Sequence, residues 1–366
     1  MKFRNLFLLA FILFLFTGDN WAQKTKNQIT RSVSSTDKRW SAEKANAWYN
    51  AHKWMTGADY IPSTAINQLE MWQAPTFDPV TIDREFSWAE NIGFNTMRVF
   101  LHSVAWKQDH QGFKKRVAEY LGIANKHHIQ TIFVFFDDCW NKVPKPGVQP
   151  APKTGVHNSG WVQDPGDPYS NDPSTYADLE KYVKDVMGEF AHDKRILLWD
   201  LYNEPGNSGK MEKSLPLLSK IFEWARSVNP DQPLSAGLWA WDFEKLNAFQ
   251  ANHSDIITYH DYEEPQWHLR VIQILKLYGR PLICTEYMAR ARNSRFSNTL
   301  PLLKKEKVGA VNWGFVSGKT NTIYAWDTPM PDGNEPKEWF HDIFRKDGTA
   351  YKEEEVKLIK DLNNEQ

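Results

Sequence analysis

The strongest constraint on the fold is the alternation of eight short β-rich runs with amphipathic helical stretches along most of the 366 residues. Strands that alternate with helices form a parallel sheet covered by helices, and eight such units predict an α/β fold, a single (β/α)8 TIM barrel. The predicted strands are residues 55–59, 96–101, 131–136, 196–202, 233–237, 256–259, 282–285 and 310–315. The clearest predicted helices are residues 83–92, 113–127, 176–191 and 214–228.

A doubly wound open sheet is the alternative fold for the same alternation of elements. It has no support here, because no predicted strand is followed by a G-x-G-x-x-G turn. We therefore expect residues 39–366 to form one barrel domain, with no internal linker or repeat.

The N-terminus has the layout of a secretory signal peptide. Lys2 and Arg4 precede an unbroken apolar run, residues 6–16, and a small residue, Ala22, lies a few positions beyond it. The run is shorter than the roughly 20 residues of a membrane span. We expect cleavage after Ala22, a flexible polar leader at 23–38, and a secreted or periplasmic protein with no membrane contact afterwards. An uncleaved anchor is the alternative.

Charge and composition exclude several classes of function. Lys and Arg number 44 against 45 Asp and Glu, so no basic excess exists to bind a phosphate backbone, and we expect no nucleic-acid partner. H-E-x-x-H and G-x-S-x-G motifs are absent from the sequence, which disfavours zincins and serine hydrolases. We expect no cofactor and no catalytic metal. No coiled coil or large apolar tail suggests assembly, so we expect a monomer.

The stretch at 138–173 interrupts the alternation directly after the third strand. It contains seven prolines and four glycines and has no helical or strand period. A connection this long within a compact domain is usually functional or disordered. One interpretation is a tolerated surface insertion. The other is a loop that shapes a substrate cleft and uses Trp140 and Trp161 as stacking platforms for sugar rings.

Polar residues stand at the carboxyl ends of several predicted strands, where barrel enzymes place their catalytic groups. The two that matter most are Glu204, after the fourth strand, and Glu286, after the seventh. Glycoside hydrolysis needs one carboxylic acid to protonate the leaving oxygen and a second carboxylate on the other face of the anomeric carbon. Two strand-end glutamates opposed across a barrel mouth fit that requirement.

The motif W-D-L-Y-N-E-P at 199–205 resembles the strand-four motif of clan A glycoside hydrolases, which include families 5 and 2. The resemblance extends residue by residue to Arg98, the His260-x-Tyr262 pair, Glu286 and Trp313. It implies a retaining β-glycosidase on a TIM barrel. It also implies that Glu204 is the general acid/base, that Glu286 is the nucleophile and that Asn203 bonds the sugar 2-hydroxyl.

The same resemblance assigns supporting roles to four further residues. Arg98 is expected below Glu286, where a nearby cation lowers the pKa of a carboxylate. Tyr262 is expected to hydrogen-bond Glu286, and His260 to line the site. Trp313 is expected to form the floor of the subsite that holds the cleaved sugar.

Three more residues lie at the same end of the predicted barrel and are assigned to substrate binding outside the clan pattern. His102 sits just beyond Arg98. Asp138, like its neighbour Asp137, either binds hydroxyls of a distal sugar or caps the following loop. Lys319 contacts either sugar hydroxyls or its own loop.

The predicted substrate is an oligo- or polysaccharide of plant or microbial origin. Cellulase-like, mannanase-like, xylanase-like and β-galactosidase-like activities share these residues, so sugar, linkage and endo or exo action stay open. Two alternatives remain: a carbohydrate-binding barrel with little turnover, and a transglycosylase that passes the same covalent intermediate to another acceptor.

Overall fold

The computed structural model describes residues 39–365, so the predicted signal peptide and leader at 1–38 lie outside the described residues. Within that range no helix combines the length and apolar character needed to cross a bilayer. Eight strands form one sheet: β1 (Thr56–Asp59), β2 (Thr96–Phe100), β3 (Gln130–Asp137), β4 (Ile196–Asn203), β5 (Leu234–Ser235), β6 (Ile257–His260), β7 (Leu282–Glu286) and β8 (Gly309–Asn312).

The predicted (β/α)8 barrel is confirmed by the order and direction of these strands. The sheet order is β5-β4-β3-β2-β1-β8-β7-β6, and every pairing is parallel. A parallel bridge between Leu238, just after β5, and Tyr259 of β6 closes the ring. All eight carboxyl ends therefore face the same mouth.

Helices cover the outside of the barrel and close its lower end. They are α1 (Ala42–Asn50), α2 (Gln68–Trp72), α3 (Pro79–Asn91), α4 (Ser103–Gln108), α5 (His110–Lys126), α6 (Tyr176–Phe190), α7 (Leu215–Val228), α8 (Glu244–His253), α9 (Pro265–Lys276), α10 (Phe296–Lys305) and α11 (Glu353–Asn364). Trp48 and Tyr49 of α1 pack on a cluster of Ile132, Leu198 and Ile283 from three strands, which seals the end opposite the mouth.

Local sequence explains where the helices begin. Asp78 accepts a hydrogen bond from Thr81 N and Pro79 follows at the first helical position, so α3 starts four residues before the predicted 83–92. Five buried residues of α3, among them Ile82 and Phe86, face the sheet. Burial of this kind supplies most of the stability of a helix in a protein.

Two predicted strands are longer than the observed ones by more than one residue. The strand predicted at 233–237 is reduced to β5, because the backbone beyond it forms hydrogen bonds with side chains. Ser254 Oγ accepts from Ala236 N, and Gln250 Nε2 donates to Gly237 O. The strand predicted at 310–315 ends at Asn312, because Gly314 turns the chain with φ of +83°. A residue with a side chain adopts that conformation only at a cost.

Candidate active site

The structure brings the two predicted carboxylates together at the barrel mouth. Glu286 is the last residue of β7, and Glu204 follows directly after β4. His260 Nδ1 lies between them, 2.9 Å from Glu204 Oε1 and 3.5 Å from Glu286 Oε2. One oxygen of each glutamate and a ring nitrogen of His260 lie within 4.8 Å of one another. A carboxyl separation of about 5–5.5 Å is typical of retaining glycosidases.

The backbone of Glu204 is held in the left-handed region, with φ of +44°. That conformation costs a non-glycine residue about 1 kcal/mol or more and is concentrated at functional sites. Its side chain is 13% exposed and reaches the cleft.

Glu286 is held by two donors. Arg98 Nη1 lies 3.0 Å from Glu286 Oε1, and the Tyr262 hydroxyl donates to Glu286 Oε2 at 2.7 Å. Burial raises the pKa of Glu286, and the cation and the phenol act against that rise because both favour the charged carboxylate.

Arg98 is fully buried and serves three carboxylates at once. Its Nη1 also donates to Asp59 Oδ1 at 2.7 Å, its Nε to Asp200 Oδ2 at 3.0 Å, and its Nη2 to Asn203 Oδ1 at 2.7 Å. Burial raises the pKa of Asp59 and of Asp200, while the guanidinium opposes the rise at both. The fork of donors fixes Arg98 and, through it, the orientation of Glu286.

Glu204 has no cation beside it and is held by neutral groups. The Cys139 thiol lies 3.2 Å from Glu204 Oε2, and Asn207 Nδ2 lies 2.5 Å from the same oxygen. Burial raises the pKa of Glu204, and the hydrogen bonds from Cys139 and Asn207 partly oppose it. A raised pKa is what a general acid working near neutral pH requires.

His260 is neutral in this position. Burial lowers its pKa to about 4, and its Nε2 is buried without a hydrogen-bond partner. The ring therefore separates the two glutamates without adding a charge between them.

An aromatic corner adjoins the carboxylates. The half-buried Trp313 meets Trp161 and Phe100 edge to face, with centroid distances of 5.5 Å and 5.9 Å. Trp161 Nε1 donates to Asp137 Oδ2 at 2.7 Å, which fixes that indole. The corner lines the same pocket as Asp59, so a sugar ring on Trp313 would lie next to the network around Arg98.

Two residues assigned to substrate binding need correction. His102 is fully buried: its Nδ1 accepts from Val104 N at the start of α4, and its Nε2 lies 3.2 Å from Gln163 O. Asp138 is also fully buried and receives hydrogen bonds from Lys210, Tyr202 and Ser214. Both side chains are occupied by the protein itself, so Asp138 holds the loop after β4 rather than a distal sugar.

The remaining two lie further out. Trp140 is 39% exposed and packs beside His157, with a centroid distance of 5.5 Å. Its use as a stacking platform stays a prediction. Lys319 Nζ forms a 2.6 Å ion pair with Glu70 Oε1 of α2, which lies outside its own loop, and its contact with sugar hydroxyls stays a prediction.

Sequence reasoning gave no role to several residues that touch this network. Asp59 was visible as the end of the first strand, and Asp200 as part of the strand-four motif. Both could have been identified as carboxylates within buried strands, because a buried carboxylate needs a cation nearby. Cys139 and Asn207 carried no such signal, because their contact with Glu204 depends on how the loops after β3 and β4 fold.

Glu204, His260 and Glu286 also form the one group among residues 39–365 whose donor atoms lie close enough together to hold a metal ion. Two carboxylates and a neutral imidazole suit a divalent cation. The chemistry described below needs none, and the absence of a catalytic metal stays a prediction.

The barrel and this site together define the class of protein: glycoside hydrolases that carry a pair of carboxylates at the mouth of a (β/α)8 barrel. Residues 62–319 match the family model described as cellulase, glycosyl hydrolase family 5. The chain belongs to this family of retaining glycoside hydrolases, as the strand-end motifs predicted. No curated protein sequence shows significant similarity to it.

Solved structures share the fold at low identity. GH5_18 from Streptomyces cattleya, in complex with GlcNAc, is 13% identical with a TM-score of 0.60, and 86% of this chain covers 82% of that one. The endo-beta-1,4-mannanase from Thermotoga petrophila is 14% identical, with a TM-score of 0.55 and coverages of 86% and 77%. An exo-beta-1,4-mannosidase from Opitutaceae bacterium strain TAV5 is 17% identical, with a TM-score of 0.58 and coverages of 90% and 62%.

Proposed function

We propose that this protein is a secreted β-glycosidase that hydrolyses a β-linked plant or microbial glycan by double displacement, with Glu286 as nucleophile and Glu204 as general acid/base. The observation that carries the proposal is the pairing of two buried carboxylates across His260, one beside a cation and one among neutral donors. β-1,4-Mannosides are the first substrates to test, because a mannanase and a mannosidase are among the similar folds.

In the first step the Glu286 carboxylate attacks the anomeric carbon. The glycosidic C–O bond breaks, and Glu204 gives its proton to the departing oxygen, so the aglycone leaves as an alcohol. Arg98 and Tyr262 hold the attacking carboxylate in line, since each donates to a different oxygen of Glu286.

In the second step the glycosyl ester on Glu286 is hydrolysed. Glu204 gave its proton to the aglycone in the first step, and because the esterified Glu286 no longer carries a charge, Glu204 stays ionised and acts as the base that takes a proton from the attacking water. Water adds to the anomeric carbon from the face the aglycone left, and the product keeps its β configuration. Asn203 is held by Arg98 and Asp137, in place to meet the sugar 2-hydroxyl.

Export rests on the N-terminal sequence alone, with Lys2 and Arg4 ahead of the apolar run and Ala22 beyond it. N-terminal sequencing of protein recovered from the medium or the periplasm tests it. A mature chain that begins at Gln23 is expected, and a chain that still begins at Met1 would contradict export by cleavage.

The activity test is reducing-sugar release from β-mannans, β-glucans, xylans and aryl β-glycosides. Wild type is compared with Glu204→Ala, Glu286→Ala and the control Glu119→Gln, whose side chain is exposed on α5. We expect one substrate class to be hydrolysed by wild type and control alone, with both active-site variants at least about a thousandfold slower. Full activity in Glu286→Ala would refute the nucleophile assignment. Glycan binding without any hydrolysis would favour a binding barrel instead.

A further inference from the structure

The long loop after β3, residues 138–173, crosses the barrel mouth. In the sheet, β2 and β1 separate β3 from β8, yet this loop reaches the segment after β8. We call the two contacting pieces, residues 153–161 and 318–333, the closing wall. They are joined by Asn158 N to Thr320 O at 2.7 Å, Met330 N to Gly155 O at 2.9 Å, Asn321 Nδ2 to Lys153 O at 2.9 Å, and His157 Nδ1 to Tyr324 O at 2.8 Å.

The two halves of the closing wall pack at backbone distance. A Cβ on Gly155, which has φ of +65°, would lie 1.7 Å from Met330 O, so no side chain fits there. His157 is 3% exposed and sits between Trp140 on one side and His341 on the other, at centroid distances of 5.5 Å and 5.4 Å. Backbone hydrogen bonds and buried rings make the wall a built part of the fold.

The same loop is also tied to the segment after β1. Asn67 Nδ2 donates to Gly160 O at 2.8 Å, and Gln68 Nε2 donates to Val162 O at 3.0 Å. The loop is therefore anchored at the carboxyl ends of two neighbouring strands, β1 and β8.

The closing wall stands next to the nucleophile. Thr320 and Trp161 line one pocket together with Trp313 and Asp59, and Asp59 shares Arg98 Nη1 with Glu286. On its other flank Trp326 meets Tyr262, the residue bonded to Glu286, at a centroid distance of 4.9 Å.

The closing wall lies on one particular side of the glycosidic bond that is cleaved. The sugar that is attacked lies on the side of Glu286 and Trp313, and the leaving group departs on the side of Glu204. The pocket bounded by the wall is lined by Trp313 and Asp59 and by neither glutamate, and Asp59 is linked to Glu286 through Arg98 Nη1. With the attacked sugar on Trp313, we expect the wall to bound the cleft beyond that sugar and the rest of the polymer to lie on the side of Glu204.

From this geometry we propose that the enzyme is exo-acting and removes sugar from the non-reducing end of its glycan, with the closing wall as the specificity-determining element. Asp59 Oδ2 is a second observation in favour of a polar ligand here: it is a buried oxygen without a hydrogen-bond partner, on a residue that lines the pocket. The inference rests on the proposed function and adds the end of the chain that is attacked.

The test uses oligosaccharides of the sugar class that the activity panel identifies, labelled at the reducing end. One set has a free non-reducing end, and a matched set carries a 4,6-O-benzylidene group there. We expect stepwise shortening of the free set and resistance of the blocked set by about a hundredfold or more. Cleavage of both sets at internal bonds would overturn exo action and leave the glycosidase assignment intact. No cleavage of any substrate by wild type would refute the proposed function, and this inference with it.

A pair of variants distinguishes an effect of the closing wall on specificity from a general effect on the fold. Asn321→Ala removes the side-chain bonds to Lys153 O and Val156 O, whereas the exposed Asn334 bonds only Asp332 in its own turn. We expect Asn321→Ala to cleave the blocked set severalfold faster, relative to the free set, than wild type does. Asn334→Ala is expected to behave like wild type. A larger change, replacement of residues 153–160 by two glycines, is expected to allow internal cleavage. Persistent end-only cleavage in that folded variant would show that the wall does not set the specificity.

Discussion

The two glutamates at the mouth of the barrel are the same residue type in contrasting surroundings. Glu286 faces the guanidinium of Arg98 at 3.0 Å and the phenol of Tyr262 at 2.7 Å. Glu204 faces a thiol, an amide and a neutral imidazole. Burial raises the pKa of both and the charge of Arg98 lowers the pKa of both, but only Glu286 lies within hydrogen-bond distance of the guanidinium. The comparison shows how neighbours rather than residue type divide the roles of nucleophile and acid.

The two carboxylates also influence each other, since the charge of Glu204 raises the pKa of Glu286. Each carboxylate raises the cost of ionising the other, so the pair holds one proton more readily than none. We expect the proton on Glu204, which has no cation within hydrogen-bond distance. When Glu286 becomes an ester, that repulsion ends, so Glu204 stays ionised after it has given its proton to the leaving group.

The largest expected effects distinguish the glutamates by leaving group. Glu286→Ala should lose at least about a thousandfold in kcat/KM on every substrate, because no nucleophile remains. Glu204→Ala should lose as much on alkyl glycosides but far less on dinitrophenyl glycosides, whose leaving group needs no proton. Parallel kinetics on the two substrates check this. Equal losses for both variants on both substrates would break the division of roles.

Removal of the cation should disturb stability as well as activity. Arg98→Met leaves Asp59, Asp200 and Glu286 buried without a counter-charge, which we expect to cost about 3–5 kcal/mol in free energy of unfolding. Urea denaturation measures it. Arg84→Met is the control, since the 3.8 Å pair of Arg84 with Glu85 is half exposed on the arginine side and worth about 0–1 kcal/mol. Similar losses for the two variants would contradict the central place of Arg98.

Loss of the Tyr262 phenol beside Glu286 should have a smaller effect on kcat, and it should shift the pH–rate profile in a predictable direction. Tyr262→Phe removes a hydrogen bond to a charged group, worth about 1.5–3 kcal/mol, so kcat should fall roughly ten- to hundredfold. The bond lowers the pKa of Glu286, and its loss raises that pKa. Because the nucleophile acts ionised, the acidic limb of the pH–rate profile should move to higher pH. A limb that stays in place would show that Tyr262 does not tune Glu286.

Loss of the Cys139 thiol beside Glu204 should have the smallest effect, and it should move the basic limb of the pH–rate profile. Burial raises the pKa of Cys139, so the thiol stays protonated and donates to Glu204. Cys139→Ala removes a weak donor that lowers the pKa of Glu204, so the basic limb should move to higher pH with less than about a tenfold change in kcat. Cys139→Ser keeps a donor and should stay close to wild type. A shift of the acidic limb instead would reverse the assignment of Glu204 and Glu286.

The sequence predicted the barrel, and it predicted that most site residues lie at the carboxyl ends of the strands. Both predictions succeed because periodicity and strand ends are local properties. It failed for His102 and Asp138, which also follow strands. The position after a strand fixes the end of the barrel where a residue lies, but not which way its side chain points. His102 was taken by the start of α4, and Asp138 by Lys210 and Ser214 of a loop more than seventy residues on.

By itself, the sequence determined the fold class, the family motif and which glutamates stand at strand ends. Only the tertiary structure decided how far apart Glu204 and Glu286 lie, that Arg98 also binds Asp59 and Asp200, and where the loop at 138–173 goes. Arg98 and Glu286 are 188 residues apart in the chain and 3.0 Å apart in space. Hydrophobic patterning acts over a few residues, whereas charge pairing, burial and loop closure depend on residues that only the closed barrel brings together.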